Sequence, residues 1–149
     1  MSDRTSENVR EVIDRVGFIV NYPVGVSMLP LLRMGRDSVV VSRLERDPVK
    51  NDVVLYSRGN ELILHRIISV KKGNYIIRGD NCLNKETDVT RSDMLGVMTA
   101  FYRGDKQYDV KTDAFYRFYV ATLPVRLPVR RFFKRTRIFL GRLKRRIFK

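Results

Sequence analysis

The sequence predicts a mostly β fold: a compact antiparallel β domain, preceded by a short helix and followed by a basic amphipathic helix. Gly59-Asn60, Gly73-Asn74 and Gly104-Asp105 each separate two apolar runs, and this residue order supplies the positive φ of tight hairpin turns. We therefore expect antiparallel pairing. Seven runs rich in Val, Ile and Tyr have the length of strands, at residues 18–22, 38–42, 53–56, 62–70, 75–77, 95–102 and 108–110.

The first segment has the pattern of a short amphipathic helix. Thr5 or Ser6 can cap it and Gly17 ends it, because glycine stops a helix readily. Its apolar residues follow the i, i+3, i+4, i+7 spacing at Val9, Val12, Ile13 and Val16. We therefore divide the chain into an N-terminal helix (1–17), a β domain (18–112) and a basic tail (113–149).

The charge of the chain is concentrated at its C-terminal end. Among 149 residues, 30 Lys and Arg outnumber 16 Asp and Glu, and residues 115–149 hold 12 basic residues and no acidic one. An excess of this kind attracts an anionic partner to the tail rather than to the body. Cys82 is the single cysteine, which excludes an internal disulfide and a Cys-rich zinc site, and we expect no metal and no cofactor.

The longest uncharged run, residues 16–32, does not predict a membrane-spanning helix. It is shorter than a typical span and contains two glycines, two prolines and an asparagine. The first fifteen residues are polar and lack the apolar region of a signal peptide. We therefore expect a peripheral membrane protein on the cytoplasmic face.

Residues 25–30, Gly-Val-Ser-Met-Leu-Pro, are the first candidate for chemistry. Gly25 permits a close backbone approach and Pro30 fixes a turn, whereas Ser27 supplies the hydroxyl of this apolar stretch. A serine at such a turn can present its Oγ beside its own backbone N–H, as a nucleophile next to an oxyanion hole requires. A loop serine bonded only to the backbone is the alternative.

His65 and Asp80 are the second and third candidates. His65 is the single histidine and lies in a strand that is apolar on both faces, so its imidazole is predicted to be buried and to need partners. Asp80 follows Gly79 where the chain leaves a strand. It either forms a turn or orients an imidazole, as the acid of a Ser–His–acid arrangement does. A structural core histidine is the alternative for His65.

Taken in order, these motifs resemble the type I signal peptidase and LexA-like superfamily. The motifs are Ser27-Met28 with Pro30, then His65-Arg66, then Gly79-Asp80-Asn81. Segments 35–41, 50–56 and 95–98 add to the resemblance, which covers about residues 18–103. It implies the β fold of that superfamily and serine endopeptidase activity.

The position of His65 is similar to that of the histidine in the Ser–His branch of this superfamily. Bacterial signal peptidases and LexA-like repressors use a Ser–Lys dyad, whereas endoplasmic-reticulum and archaeal signal peptidases have His in place of Lys. The resemblance implies that Ser27 attacks the scissile carbonyl, that His65 takes its proton and that the backbone N–H of Ser27 holds the oxyanion. For the third member it leaves Asp80, with Glu86 or Asp88 as the alternatives.

In the Ser–His branch the acid lies several residues beyond Gly-Asp-Asn, where this chain has Glu86 or Asp88. Apart from this, the chain departs from the family pattern at two points. Many signal peptidases have a serine two residues before the nucleophile as a second oxyanion donor, and this chain has Gly25 there. Loss of one such donor can lower the rate about 10²–10³-fold. The second departure is that we expect no N-terminal membrane anchor.

The basic tail has the pattern of an amphipathic helix. Projected at 100° per residue, most Lys and Arg side chains of residues 128–149 fall on one side of it. The other side is apolar and consists of Val129, Phe132, Phe133, Thr136, Phe139, Leu140, Leu143 and Ile147. This pattern predicts binding to an anionic membrane surface through residues 115–149. Docking on the β domain and binding to nucleic acid are the alternatives, although base stacking would need the Phe residues among the basic ones.

The sequence therefore predicts a monomeric serine endopeptidase that resembles signal peptidases and cleaves a leader or signal-type segment of a peptide or protein precursor. A preference for small residues at the cleavage site is what the resemblance implies. One alternative is a non-catalytic β module whose basic tail holds lipid or nucleic acid. Another is a LexA-like self-cleaving regulator, which is disfavoured because one short helix before Gly25 is too little for a DNA-binding domain.

Overall fold

The computed structural model describes residues 6–147; in the last helix it describes side chains up to Leu140, except those of Leu127, Arg130, Arg131 and Lys134. Helix α1 spans Ser6–Val16 and helix α2 spans Ala114–Ile147. The strands are β1 Phe18–Asn21, β2 Asp37–Ser42, β3 Val53–Arg58, β4 Glu61–Lys71, β5 Asn74–Arg78, β6 Glu86–Val89, β7 Met94–Arg103 and β8 Lys106–Asp109. A 3₁₀ turn at Arg91–Asp93 precedes β7.

The strands form one antiparallel sheet in the order β1-β2-β7-β3-β4-β5-β6, and β8 pairs with β7. The fold is therefore the mostly β domain with terminal helices that the sequence predicts. Strand β4, which carries His65, lies inside the sheet between β3 and β5. Strand β6 was not predicted, because Glu86–Val89 contains a single buried apolar residue, Val89.

Two of the three predicted hairpin turns form where the glycine pairs predict them. Gly59-Asn60 connects β3 to β4, and Gly104-Asp105 connects β7 to β8. The third prediction was wrong by one residue, since Lys72-Gly73 makes the turn and Asn74 is already paired in β5. Both turn residues have positive φ, 50° and 79°, as a type I′ turn requires.

The sheet buries apolar side chains on both faces. Its central strands have consecutive apolar residues, and successive residues of a strand point to opposite sides. In β3, Val53 and Leu55 pack in a cluster that includes residues of both helices, whereas Val54 and Tyr56 pack in a second cluster with β4 and β5. The central strands are thus fixed from both sides, and side chains on β4 have defined positions.

Helix α1 covers one end of the first cluster. Val9 and Ile13 are buried there, and Gly17 ends the helix with a φ of 94°. Thr5, one of the two predicted caps, lies outside the described residues. Within the described range, neither helix has an apolar stretch long enough to cross a membrane.

Candidate active site

Ser27 lies in a segment of turns between β1 and β2. The N–H of Leu29 donates to the carbonyl of Val26 at 3.3 Å, and the N–H of Leu32 donates to the carbonyl of Met28 at 3.0 Å. Met28 is only 3% exposed, so the residue after Ser27 anchors the turn in the core. Ser27 itself is half-buried, as a serine at the surface of a groove would be.

The turn after β5 holds this segment in place. The backbone N–H of Asn81 donates to the carbonyl of Ser27 at 2.7 Å, and Nδ2 of Asn81 donates to the carbonyl of Val26 at 3.0 Å. The Gly-Asp-Asn sequence that the resemblance uses therefore has a structural role: its asparagine fixes the backbone on which Ser27 sits.

Gly79 lies between the backbone of Ser27 and the imidazole of His65. A Cβ atom at this position would lie 2.7 Å from the carbonyl oxygen of Ser27 and 3.0 Å from Nε2 of His65. It would also lie 2.8 Å from Sγ of Cys82. The absence of a side chain at Gly79 thus allows the nucleophile candidate and the imidazole to approach the same turn.

The imidazole of His65 is buried and bonded to Glu86. His65 is 8% exposed, and its Nδ1 lies 3.0 Å from Oε1 of Glu86. Because a carboxylate accepts hydrogen bonds only, we assign the proton to Nδ1. Nε2 then keeps its lone pair, and this is the atom that faces Gly79 and the turn of Ser27.

Glu86 is held by two residues of β3. The hydroxyl of Tyr56 donates to Oε2 of Glu86 at 2.7 Å, and Nη1 of Arg58 donates to the same oxygen at 3.0 Å. The sequence analysis did not identify these two residues. Tyr56 lies on the same face of β3 as Val54, which pairs with His65, so the strand pairing was the signal that could have found it.

The environment keeps the His65 imidazole neutral. Burial lowers the pKa of His65, and this effect outweighs the opposite effect of the nearby Glu86 carboxylate. A general base must be unprotonated to accept a proton, so the lowered pKa suits this role at neutral pH. Burial and Glu86 together raise the pKa of Tyr56, which keeps its hydroxyl a donor.

Asp80, the first choice for the third member, does not occupy that position. Its carboxylate accepts from Nε and Nη2 of Arg66 at 2.8 and 2.9 Å, and from the hydroxyl of Tyr119 at 2.9 Å. Asp88 pairs with Arg58, and its side chain is 68% exposed. Of the three carboxylates that the sequence left open, Glu86 is therefore the one in contact with His65.

The pair of Arg66 and Asp80 connects the site to helix α2. Arg66 is 1% exposed, and its Nη1 donates to the carbonyl of Asn51 at 2.8 Å and to the hydroxyl of Tyr116 at 3.2 Å. Burial disfavours its charge, but Asp80 more than compensates and raises the pKa of Arg66. Arg66 and His65 are neighbours on β4, so the pair supports the site from the opposite face of the sheet.

Two grooves meet at Ser27 and His65, which line both of them. The first has a volume of about 520 Å³ and is mostly apolar, with Met28, Leu55 and Leu62 among its lining residues. The second is larger, about 1040 Å³, and most of its lining residues are polar or charged. A chain bound across Ser27 can therefore contact an apolar surface on one side and a polar surface on the other.

Among known proteins, no family model matches this chain, and no curated protein matches it either. The roles proposed for these residues therefore rest on the geometry around Ser27, His65 and Glu86, together with the resemblance of the motifs.

Proposed function

We propose that this protein is a serine endopeptidase with Ser27 as nucleophile, His65 as general base and Glu86 as the residue that orients the base. One observation carries the proposal. Nδ1 of His65 is bonded to the Glu86 carboxylate at 3.0 Å, while Nε2 faces the turn that holds Ser27. This is the orientation of imidazole that serine hydrolysis requires.

In the first half of the reaction, Oγ of Ser27 bonds to the scissile carbonyl carbon and its proton moves to Nε2 of His65. The carboxylate of Glu86 stabilises the imidazolium that forms. The backbone N–H of Ser27 donates to the oxyanion, and Gly25 adds no side-chain donor there. When the C–N bond breaks, Nε2 returns the proton to the leaving amine.

In the second half, water releases the acyl group. His65 takes a proton from the water, whose oxygen bonds to the carbonyl carbon of the Ser27 ester. The ester C–O bond then breaks, and the proton returns to Oγ of Ser27. The burial that lowers the pKa of His65 keeps the base neutral before each attack.

The strand pairing supports an extended substrate. Among the described strands, β1 pairs only with β2, and β5 pairs with β4 from Arg66 onward, which leaves one edge of residues 61–65 unpaired in the sheet. Asn21 of β1 and residues 61–65 both line the apolar groove. Free strand edges bind extended peptides through main-chain hydrogen bonds, so a flexible segment fits this groove better than a folded domain.

The difference between the two grooves supports a substrate of mixed character. One side of the scissile bond meets apolar side chains and the other meets polar ones, including Arg58, Lys85 and Asp88. A leader or signal-type junction has such an asymmetry. The preference for a small residue at the bond itself remains what the family resemblance implies.

Cleavage of a mixture of unstructured peptides, followed by mass spectrometry, tests the proposal. We expect the full chain to cut between an apolar and a polar segment, and Ser27→Ala to lose this cleavage. Ser57→Ala is the matched control, since Ser57 bonds to the carbonyl of Asp93 and lines neither groove. Equal cleavage by Ser27→Ala, or no cleavage by the parent protein, would contradict the proposal.

A further inference from the structure

Helix α2 contacts the β domain with only part of its length. Tyr116, Tyr119 and Leu123 are 4%, 3% and 5% exposed and pack into the first core cluster. Pro124 and Pro128 follow this docked segment within the helix. Beyond Leu123, the described apolar side chains of α2 are exposed. The docked part thus fixes the orientation of the helix, and the rest of the helix has its apolar side chains exposed.

An uncharged stripe runs along the side of α2 that faces away from the docked residues. At 100° per residue its members fall within an arc of about 100°, opposite to Tyr116, Tyr119 and Leu123. They are 50–70% exposed: Phe118, Val125, Val129, Phe132, Phe139 and Leu140. At 1.5 Å per residue the stripe is about 33 Å long. Apolar surfaces of this extent mark interaction sites.

Arginines flank the stripe on both sides. Arg126 and Arg137 border one edge of the arc, and Arg117 and Arg135 border the other. All four are exposed, and residues 115–149 contain no acidic side chain. The surface of α2 therefore combines a central apolar stripe with positive charge at its borders.

We propose that α2 is a binding site for the surface of an anionic lipid bilayer. The stripe enters the boundary between headgroups and acyl chains, and the flanking arginines contact lipid phosphates. Because the stripe faces away from the docked residues, binding leaves the contact with Arg66 and Asp80 intact. This interaction is independent of catalysis by Ser27.

The charge distribution favours lipid over two other occupants. A second copy of the chain packed on the stripe would bring two sets of 12 basic residues together without acidic partners. A nucleic acid would engage the basic borders but leave Phe132 and Phe139 in water, since base stacking needs aromatic residues beside the cations. An anionic bilayer offers acyl chains to the apolar stripe and phosphates to the arginines at its borders.

Single-tryptophan variants test the proposal directly, because the chain contains no tryptophan. Phe139→Trp places the probe on the stripe, and Ile138→Trp places it on the opposite, basic side of the same helix. Both are made in full-length Ser27→Ala protein, so that the readout does not depend on activity. We expect vesicles of phosphatidylcholine and phosphatidylglycerol in equal parts to shift the emission of F139W to the blue and to leave I138W nearly unchanged.

Sedimentation with the same vesicles measures the affinity. We expect Phe132→Ser with Phe139→Ser to weaken partitioning roughly tenfold or more, and Ile138→Ser to change it by less than about twofold. Salt should weaken binding without abolishing it, since apolar burial and charge both contribute.

Five results would overturn the proposal. Four of them are equal emission shifts for F139W and I138W, equal binding to vesicles of phosphatidylcholine alone, partitioning of the double serine variant like the parent, and a blue shift of F139W from self-association without lipid. Binding of duplex DNA that displaces the vesicles would overturn it as well, in favour of a nucleic-acid surface.

Discussion

Nδ1 of His65 and Oε1 of Glu86 lie 3.0 Å apart, although 21 positions separate the two residues in the sequence. Tyr56 and Arg58 hold the other oxygen of the carboxylate, so the imidazole is oriented by a network rather than by one bond. The network fixes which nitrogen carries the proton and leaves Nε2 toward the turn of Ser27. In the proposed mechanism Glu86 is therefore the third functional residue, beside Ser27 and His65.

The first prediction concerns the pH dependence of cleavage. Because burial lowers the pKa of His65 below its usual 6.5, kcat/KM should be level at neutral pH and fall only below about pH 6.5. In Glu86→Gln the carboxylate that raises this pKa is lost, so the acid limb should move to lower pH while kcat/KM at pH 7 falls about 10²-fold or more. Initial rates between pH 4 and 9 measure both.

An acid limb that stays in place or moves upward in Glu86→Gln would show that Glu86 does not act on His65. A profile that rises only above about pH 8 would implicate a lysine as the base instead.

Asp80→Asn should lower the free energy of unfolding. The change leaves the Arg66 guanidinium buried without its charged partner, and breaking a buried ion pair on one side costs about 3–5 kcal/mol. Urea unfolding followed by circular dichroism measures the loss. Asp88→Asn is the matched control, since that carboxylate is exposed, and it should change stability little. Equal midpoints for Asp80→Asn and the parent would contradict this account of the pair.

Gly79→Ala should lower kcat/KM by more than any loss of folded protein explains. The new Cβ would lie too close to the carbonyl oxygen of Ser27 and to Nε2 of His65, so one of them must move. Gly59→Ala is the control: it costs about 1 kcal/mol because of its positive φ of 59°, but its Cβ meets no atom within 4 Å. Full activity of Gly79→Ala would mean that Ser27 and His65 do not converge there.

Truncation separates the two parts of α2. A chain that ends at residue 127 keeps Tyr116, Tyr119 and Leu123 in the core and should retain its fold and cleavage of a soluble peptide. A chain that ends at residue 113 loses the hydroxyls that bond Arg66 and Asp80, and it should unfold at lower urea concentration. Equal midpoints for the two truncated chains would show that the docked segment does not stabilise the domain.

The parts of the fold that the sequence predicts are those with local signals. Short runs of Val, joined by Leu and Tyr in β3, mark strands such as β2 and β3, and glycine pairs mark two of the hairpins. Strand β6 has one buried side chain and no pattern of this kind. The positive φ of Lys72 is unusual for its residue type, so the turn after β4 was placed one residue late.

Among the candidate site residues, Ser27 and His65 were easier to select from the sequence than the carboxylate. Ser27 and His65 stand out in apolar surroundings, whereas the choice among Asp80, Glu86 and Asp88 depends on which face of β4 each carboxylate approaches. His65 and Arg66 are adjacent and point to opposite faces, and each has its own acid. Only the packing of the loop after β5 assigns Glu86 to the histidine and Asp80 to the arginine.

The amphipathic pattern of the tail was visible in the sequence, but the docked side of α2 was not. A projection from residue 128 onward omits Tyr116 and Tyr119, whose contacts orient the helix. Leu143 and Ile147, which the projection also places on the apolar side, lie outside the described side chains.

Ser27→Ala, His65→Ala and the double variant provide the most direct test of the proposed mechanism. Residues that act as one catalytic unit are non-additive, so each single change and the double change should lower kcat/KM on the same peptide to a similar floor, by about 10³-fold or more. Circular dichroism of each variant checks that the fold persists. If the losses multiply in the double variant, or if Ser27→Ala cleaves like the parent, Ser27 and His65 do not act as a nucleophile and its base.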